Sequence, residues 1–329
     1  VAPRLGAFDV PHDPPHFLVL RRALRRHIAA HLRPGEQVVV GLSGGADSTA
    51  LLLACLMEGL RVHAVVVDHG LQQGSAAVAG AAADTALRLG ATCSVLRVQV
   101  TGAGGMEAAA REARYRALAD AAGAAAGGAG AAQPRPILVG HTCEDQAETY
   151  LLGALRGNPA GMEPVTGNIH RPLLRVRRRD TQLACREWGI TPWQDPHNED
   201  SAFRRVAVRR EVIPGLATAT GIDDPVPALA QAAARAAADN AALEEWARRV
   251  HTDSAVDLAG LPAAVRGRIL ARMVHEAGGR ATGASISTLD ALVTDWHGQG
   301  PVAVGAGLVV TRANGKLTVT REKGVRDAR

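Results

Sequence analysis

The residues of this chain best able to do chemistry lie in three short polar strings. They are Ser43-Gly44-Gly45-Ala46-Asp47-Ser48, then Asp68-His69-Gly70, and then a run from His141 to Thr149 that carries Asp145 and Glu148. In the first string Gly44-Gly45 permits a sharp turn with positive φ, and Asp47 or Ser48 can cap the Leu-rich helix that follows. The free N–H groups of that helix's first turn, with the Ser43 and Ser48 hydroxyls, point at one place where a phosphate fits. The glycine spacing is not that of a Walker-type loop and no lysine follows. The helix end, a metal or an arginine from elsewhere must therefore meet the phosphate charge. A carboxylate at Asp47 repels phosphate unless a divalent cation lies between them, so the expected ligand is a nucleotide with Mg2+ on the Asp47 side. For the glycines and Asp47 taken alone, a plain strand-to-helix turn with a capping aspartate stays open.

In the third string Asp145 and Glu148 are spaced to share one face at a helix start. Two carboxylates there can hold a cationic amine, or one can take its proton, though acids also simply suit a helix N-terminus. Arg111 and Arg114 share a helix face and can offset polyphosphate charge; pairing with Glu107 and Glu112 is the alternative. Asp68 and His69 can meet a nucleoside or its phosphate, and Asp68 can equally be a helix cap.

Strands predicted at 38–40, 61–67, about 93–100 and 137–140 place each string at a strand's carboxyl end. Helices are predicted at 16–32, after the first glycine turn, at 75–89 and around Arg111 and Arg114. The alternation of strand and helix predicts an α/β fold, a doubly wound and mainly parallel sheet whose ligand site lies along one edge. Residues 1–15 lack periodicity and read as a loose leader, and 123–133 as a low-complexity surface connection. Between 151 and 215 there are 11 arginines against seven acidic residues, including Arg175-Val176-Arg177-Arg178-Arg179, Arg204-Arg205 and Arg209-Arg210. Such clustering suits a phosphate backbone, a solvated arginine face being the alternative. The expected organisation is a catalytic domain at 1–215, a Pro- and Gly-containing linker at 216–228, and a mostly helical domain at 229–329. That last domain should carry helices at 228–250, 261–277 and 285–296 and short strands turning at Asn314-Gly315.

With 329 residues and only 3% aromatics, the cores must be built from Ala, Val and Leu. The net charge of +5 rests on 37 basic residues of which only Lys316 and Lys323 are lysines. That bias follows from a GC-rich genome as readily as from nucleic-acid binding. Cys55, Cys93, Cys143 and Cys185 are scattered, with no Cys-x-x-Cys pair, which argues against a disulfide framework or a zinc site. No stretch has the apolar length of a membrane helix, so a soluble cytoplasmic protein without a membrane partner is expected.

The Ser-Gly-Gly-Ala-Asp-Ser string resembles the PP-loop of the ATP pyrophosphatases, which cleave ATP to AMP and pyrophosphate and adenylate a substrate oxygen. Further strings sharpen this to a resemblance to bacterial tRNA(Ile)-lysidine synthetases over roughly residues 35–215. They are Val67-Asp68-His69-Gly70-Leu71, Glu107 through Tyr115, Gly140-His141 with Asp145-Gln146-Ala147-Glu148-Thr149, Leu155-Arg156-Gly157, Arg171-Pro172-Leu173-Leu174, and Asp195-Pro196-His197-Asn198 running to Val212-Ile213-Pro214. The resemblance implies ATP, Mg2+, free lysine and an isoleucine tRNA with a CAU anticodon; it leaves the oligomeric state open, a homodimer included. It implies ATP binding by Ser43, Gly44, Gly45, Ala46, Asp47, Ser48, Asp68, His69 and His141, and catalysis by Asp47, Asp145 and Glu148. Asp145 and Glu148 would be the lysine site, and Arg111, Arg114, Arg171, Arg205 and Arg209 would meet phosphate or tRNA. Val206 stands where the family usually has Asn, and Thr142 and Glu144 also depart from common residues. The chain ends near 329 without the additional domain of longer members, which implies a reduced surface for the tRNA body. Rival readings are a tRNA thiolase, for which Cys143 would be the suspect thiol, a small-molecule amidotransferase, and an RNA-binding module without catalysis.

Overall fold

The computed structural model describes residues 4–12, 14–70, 74–100, 106–124, 134–195 and 203–322. Leu71, the Pro196-His197-Asn198 part of its string, most of the 123–133 tract and the end of the chain lie outside them. The chain divides into two compact units, Val1–Ala237 and Ala238–Arg329.

The first described residues are not the loose leader expected but an antiparallel ribbon of β1 (Arg4–Leu5) and β2 (Phe8–Asp9). Its turn needs Gly6: φ is +57°, and a Cβ there would fall 2.2 Å from the Arg88 carbonyl oxygen. Leu5, Phe8 and Val10 pack onto the main core, which is the apolar signal that a Pro- and His-rich composition hid. Helix α1 (Pro15–His31) follows; its open N-terminal N–H groups at His16 and Phe17 donate to the Glu187 carboxylate at 3.0 and 2.9 Å.

The sheet is built on β3 (Gln37–Gly41). From it α2 (Ala46–Met57) leads to β4 (Arg61–Asp68), and α3 (Ser75–Arg88) to β5 (Thr92–Arg97). Helix α4 (Met106–Ala124) then carries the chain back across to β6 (Ile137–Leu138), on the other side of β3, and α5 (Cys143–Ala154) follows. A hairpin, β7 (Val165–Thr166) and β8 (Ile169–His170), completes the order β5-β4-β3-β6-β8-β7, parallel but for β7. That hairpin has no counterpart in the sequence reading, since two-residue strands leave no periodicity. Val38, Val39 and Val40 are all fully buried. Val38 and Val40 face a core shared with α1, α2, α3 and α6 (Arg178–Glu187), while Val39 faces Leu118 and Ala122 of α4. Two-sided burial is what a β-branched run encodes, at about 1.5–3 kcal/mol for each such side chain.

After α6 the chain enters a nearly continuous helix. It comprises α7 (Arg204–Ala207), a π-helical turn (Val208–Val212) and α8 (Ile213–Thr220). Pro214 has no N–H to donate, so the ladder loses a bond there and the turn widens. Residues 216–228 hold the end of α8 and the start of α9 (Val226–Arg249), and the division between the two units falls inside α9.

In the second unit, α10 (Ala255–Ala259), α11 (Ala263–Glu276) and α12 (Gly283–Thr294) pack with the antiparallel β9 (Val302–Ala303), β10 (Leu308–Ala313) and β11 (Lys316–Arg321). Leu258, Ile269, Leu289, Val310 and Leu317 lie in its core. The Asn314-Gly315 turn has φ of +50° and +77°, the conformation its residues favour.

Candidate active site

At β3 the strand order reverses: the chain runs outward through β4 and β5, then returns to β6 on the opposite side. That is the crevice where open α/β sheets bind ligands. Both flanking strands deliver polar residues into it, the glycine loop after β3 and His141 to Glu148 after β6.

Gly44 takes φ +81°, as its position in the turn requires. Neither Asp47 nor Ser48 caps α2, contrary to expectation; Gly45 is the cap residue, and it has no side chain to offer. Ser48 braces the loop instead. Its Oγ accepts from Ser43 N at 3.1 Å, donates to the Gly45 carbonyl at 3.1 Å and lies 3.1 Å from Ser43 Oγ. Behind the loop, Gly140 presses on the first turn of α2: a Cβ there would stand 2.8 Å from the Asp47 carbonyl carbon and oxygen. Only glycine lets the end of β6 approach so closely, which fixes the two halves of the crevice against each other.

Asp47 is held by two residues of α6. Thr181 Oγ1 donates to its Oδ1, and Arg178 Nε lies 3.3 Å from its Oδ2. Burial, against the pull of Arg178, raises its pKa to about 6. Asp145 closes a capping box at the start of α5, its Oδ2 accepting from Thr142 N at 2.8 Å and Thr142 Oγ1 at 2.9 Å. Its Oδ1 takes Arg178 Nη2 at 3.0 Å. Burial alone would raise the Asp145 pKa, but Arg178, His141 and the Thr142 hydrogen bonds outweigh it and hold it below the usual value. Glu148 is fully buried. Its Oε1 accepts from Arg209 Nε at 2.7 Å and from Arg178 Nη1 at 3.4 Å, and Arg205 Nη1 lies 3.9 Å from Oε2.

Asp47, Asp145 and Glu148 therefore meet around one guanidinium, that of Arg178, which the sequence reading placed only within an arginine run. Of that run Arg175 and Arg179 are exposed, while Arg177 and Arg178 turn inward to Glu144 and the acid cluster. Amphipathicity of α6 was the available signal, since Arg178 and Thr181 lie on the same face, next to each other along the helix.

His141 stands between Asp145 and Arg111, Arg171 and Arg114; burial first, then those arginines, lower its pKa to about 3, and its Nδ1 has no hydrogen-bond partner. Arg111 and Arg114 stack on Tyr115, 4.9 and 5.8 Å from the ring centre. Arg171, expected at the tRNA surface, is only 8% exposed and spends Nη1 on the Glu163 carbonyl and Thr166 Oγ1. It braces the β7–β8 hairpin instead. Arg205 and Arg209 likewise sit on the π-helical turn region against Glu148 and Thr149. Asp68 closes its own turn, accepting from Gly70 N at 2.9 Å and from the Ser75 side chain, with its pKa lowered by those bonds; the cap residue of α3 is Gly74, so Asp68 is not the helix cap that the alternative expected. Burial first, then Arg114, lower the pKa of His69, and it lines a groove of about 700 Å³ with Gly70, Arg97 and Gln99 beyond β4 and β5. Cys143 is buried, and burial pushes its thiol up to about 11, which makes it a poor nucleophile. Val206 is buried.

Residues 19–216 match the family model described as a PP-loop domain. The tRNA(Ile)-lysidine synthase of Corynebacterium glutamicum is 45% identical over 332 positions, covering 97% of this chain and 100% of the relative. That of Rhodococcus erythropolis is 44% identical, covering 93% and 96%. Among solved structures, the U34-tRNA thiolase of Methanococcus maripaludis shares the fold, with a TM-score of 0.52 and 13% identity over 71% of this chain and 83% of that one. Similarity that runs the full length of the curated relatives, on a chain whose glycine loop and acid pair meet at one sheet edge, settles the assignment: the chain belongs to the tRNA(Ile)-lysidine synthase family.

Proposed function

We propose that this chain joins free lysine to C2 of the wobble cytidine in a CAU-anticodon isoleucine tRNA, using ATP with Mg2+ and working in the cytoplasm. The observation that carries the reading is the meeting of the phosphate-side carboxylate, Asp47, with the amine-side pair, Asp145 and Glu148, around Arg178. Replacing the C2 oxygen by an amine requires a better leaving group than oxide. Transfer of AMP to that oxygen supplies it; the lysine amine then attacks C2, the C2–O bond breaks and AMP departs with the electron pair. The loop N–H groups of Gly44 to Ser48 serve best where pyrophosphate charge develops, and each 1.4 kcal/mol or so of such preference is tenfold in rate.

Asp47 fits a divalent ion shared with phosphate, because such an ion needs only one or two protein carboxylates. Among the described residues no group of three His, Cys, Asp or Glu side chains is placed to cage a metal without substrate. The ion would neutralise the phosphates at that carboxylate. Asp145, held below the ordinary carboxylate range, suits an ammonium better than it suits the role of base. Neutral His141, close to three arginines, can donate to or accept from a reacting group without changing charge. The groove at His69 suits the adenosine. The exposed Arg175 and Arg179 supply charge for anticodon-loop phosphates, Arg205 and Arg209 being engaged with Glu148 and Thr149, and residues 229–329 extend the tRNA surface. Binding should weaken as salt rises. The substrate base is unpaired in an anticodon loop and can enter a pocket without melting a duplex.

The test is α-labelled ATP with lysine, Mg2+ and the chain, with and without the isoleucine tRNA transcript. AMP and a lysine-modified nucleotide should appear together and only with that tRNA. AMP released without tRNA, or labelled tRNA without lysine, would overturn the substrate while keeping the PP-loop chemistry.

A further inference from the structure

Arg178 occupies the oxygens that both substrates need. Asp145 Oδ2 is already committed to two donors of Thr142, so Oδ1 is the oxygen left for an ammonium, and Arg178 Nη2 holds it at 3.0 Å. Asp47 Oδ1 is likewise committed to Thr181, and Arg178 Nε faces the other oxygen at 3.3 Å. The third nitrogen, Nη1, reaches Glu148 at 3.4 Å, although Arg209 meets the same oxygen at 2.7 Å. Two of the three contacts are thus at the long end of the hydrogen-bond range, as expected of one guanidinium shared among three acids. Its backbone is anchored independently: Arg178 N donates to Glu144 at 2.8 Å, and Arg177 Nε to the same carboxylate at 2.7 Å. The helix start can stay in place while the side chain leaves.

We propose that Arg178 is a place-holder cation, a positioning residue that covers the binding oxygens of Asp47 and Asp145 in the empty enzyme and is displaced when nucleotide and its metal arrive, so that lysine binds more tightly once ATP is in place. The proposal rests on the reading of Asp145 and Glu148 as the lysine site. A divalent ion at Asp47 repels the guanidinium from a neighbouring position, and its departure from Asp47 also uncovers Asp145. The two binding events are then coupled through one side chain, and coupling of this kind is reciprocal: each ligand strengthens the other by the same factor. Glu148 does not share this behaviour, because Arg209 keeps its charge matched whether or not Arg178 stays.

The experiment is calorimetric titration of lysine into the full chain, with and without Mg2+ and a non-hydrolysable ATP analogue. Wild type should bind lysine roughly tenfold tighter with nucleotide present. Arg178→Gln, shorter and uncharged, should bind lysine with less than about a twofold difference between the two states. Arg178→Lys, keeping a point cation, should retain part of the difference. Absence of any nucleotide effect in wild type, or a full effect in Arg178→Gln, overturns the proposal. Should Arg178→Gln fail to fold, the wild-type and Arg178→Lys titrations decide it, a missing effect in wild type or an undiminished one in Arg178→Lys overturning the proposal. Asp145→Asn separates the two levels of argument. If it leaves lysine affinity unchanged, the lysine-site reading falls and this proposal with it. If it abolishes lysine binding while Arg178→Gln keeps the wild-type coupling, only the place-holder falls.

Discussion

On the phosphate side of the crevice, Ser43 and Ser48 brace each other across a sequence separation of 5, inside one turn. On the amine side, Arg178 reaches Asp145 across 33 residues, Arg209 reaches Glu148 across 61, and Arg178 reaches Asp47 across 131. The first half is held by backbone geometry and short neutral hydrogen bonds, the second by buried charges from separate elements. A local brace costs little when cut, since the turn persists without it. A buried ion pair costs much when one partner is removed, since the other is left desolvated and unmatched. The two halves should therefore respond differently to mutation.

The largest effect is expected at Glu148. With no exposed surface, it anchors Arg209 and shares Arg178, so Glu148→Ala should lower stability by about 3–5 kcal/mol in urea unfolding. A loss below about 1 kcal/mol would mean that the arginines rehydrate freely and that the contrast is false. Next is Gly140→Ala, which tests the contact between the halves. A methyl group 2.8 Å from the Asp47 carbonyl must push α2 away, costing about 1–3 kcal/mol. Because the displaced atoms belong to the loop, pyrophosphate release should fall by roughly 5- to 150-fold, the range that a ΔΔG‡ of the same size gives. Unchanged release in a stably folded variant would show that the loop does not depend on its backing.

Asp47 belongs to both halves, and its pH dependence shows it. Its folded-state pKa is raised from 3.8 to about 6, so the folded chain binds more protons than the unfolded one between those values. Stability contributed by Asp47 is present below pH 3.8 and lost as pH rises through about 6, by up to about 3 kcal/mol. Activity has the opposite sign: the carboxylate must be ionised to hold a cation, so kcat/KM should fall about tenfold per unit below pH 6. Buried His27, pushed down to about 4, works against the stability trend, since neutral imidazole loses stability as pH falls from 6.5 through 4. The measurement is thus the difference between wild type and Asp47→Asn in urea midpoint from pH 3.5 to 7.5. A flat difference would deny that burial sets the Asp47 pKa.

The same contrast explains what could be read beforehand. The glycine loop, the parallel strands and the Asn314-Gly315 turn are encoded by neighbours in sequence, and all lie where the spacing puts them. The convergence of 43–48 with 141–148 followed from topology alone, since both strings end strands beside the point where the order reverses. Arg178 did not follow, because the face it shares with Thr181 was the one local hint, and within five residues carrying four arginines that hint does not decide which one turns inward. That choice is made by Asp47, Asp145 and Glu148, brought together only by the fold. Arg171 shows the reverse error: an arginine ahead of Pro172 reads as surface charge, yet it is spent on a hairpin that was too short to detect.

The smallest effect distinguishes the two loop serines. Ser48 Oγ makes three contacts at 3.1 Å and is only 7% exposed, and it carries the tie from the Ser43 amide to the Gly45 carbonyl. Ser43 Oγ has the Ser48 hydroxyl and a longer 3.4 Å contact from Gly45 N. Ser48→Ala should cost about 1 kcal/mol in stability and Ser43→Ala less than half of that, each bond being worth about 0.5–1.5 kcal/mol net. For nucleotide affinity the order should reverse, because Ser43 has the less committed hydroxyl and can offer it to phosphate, whereas Ser48 is engaged in holding the turn. Nucleotide titration of the two variants checks this. Equal losses of affinity would mean that phosphate reorganises the Ser43–Ser48 pair, and the local half of the site would then be no more preformed than the arginine half.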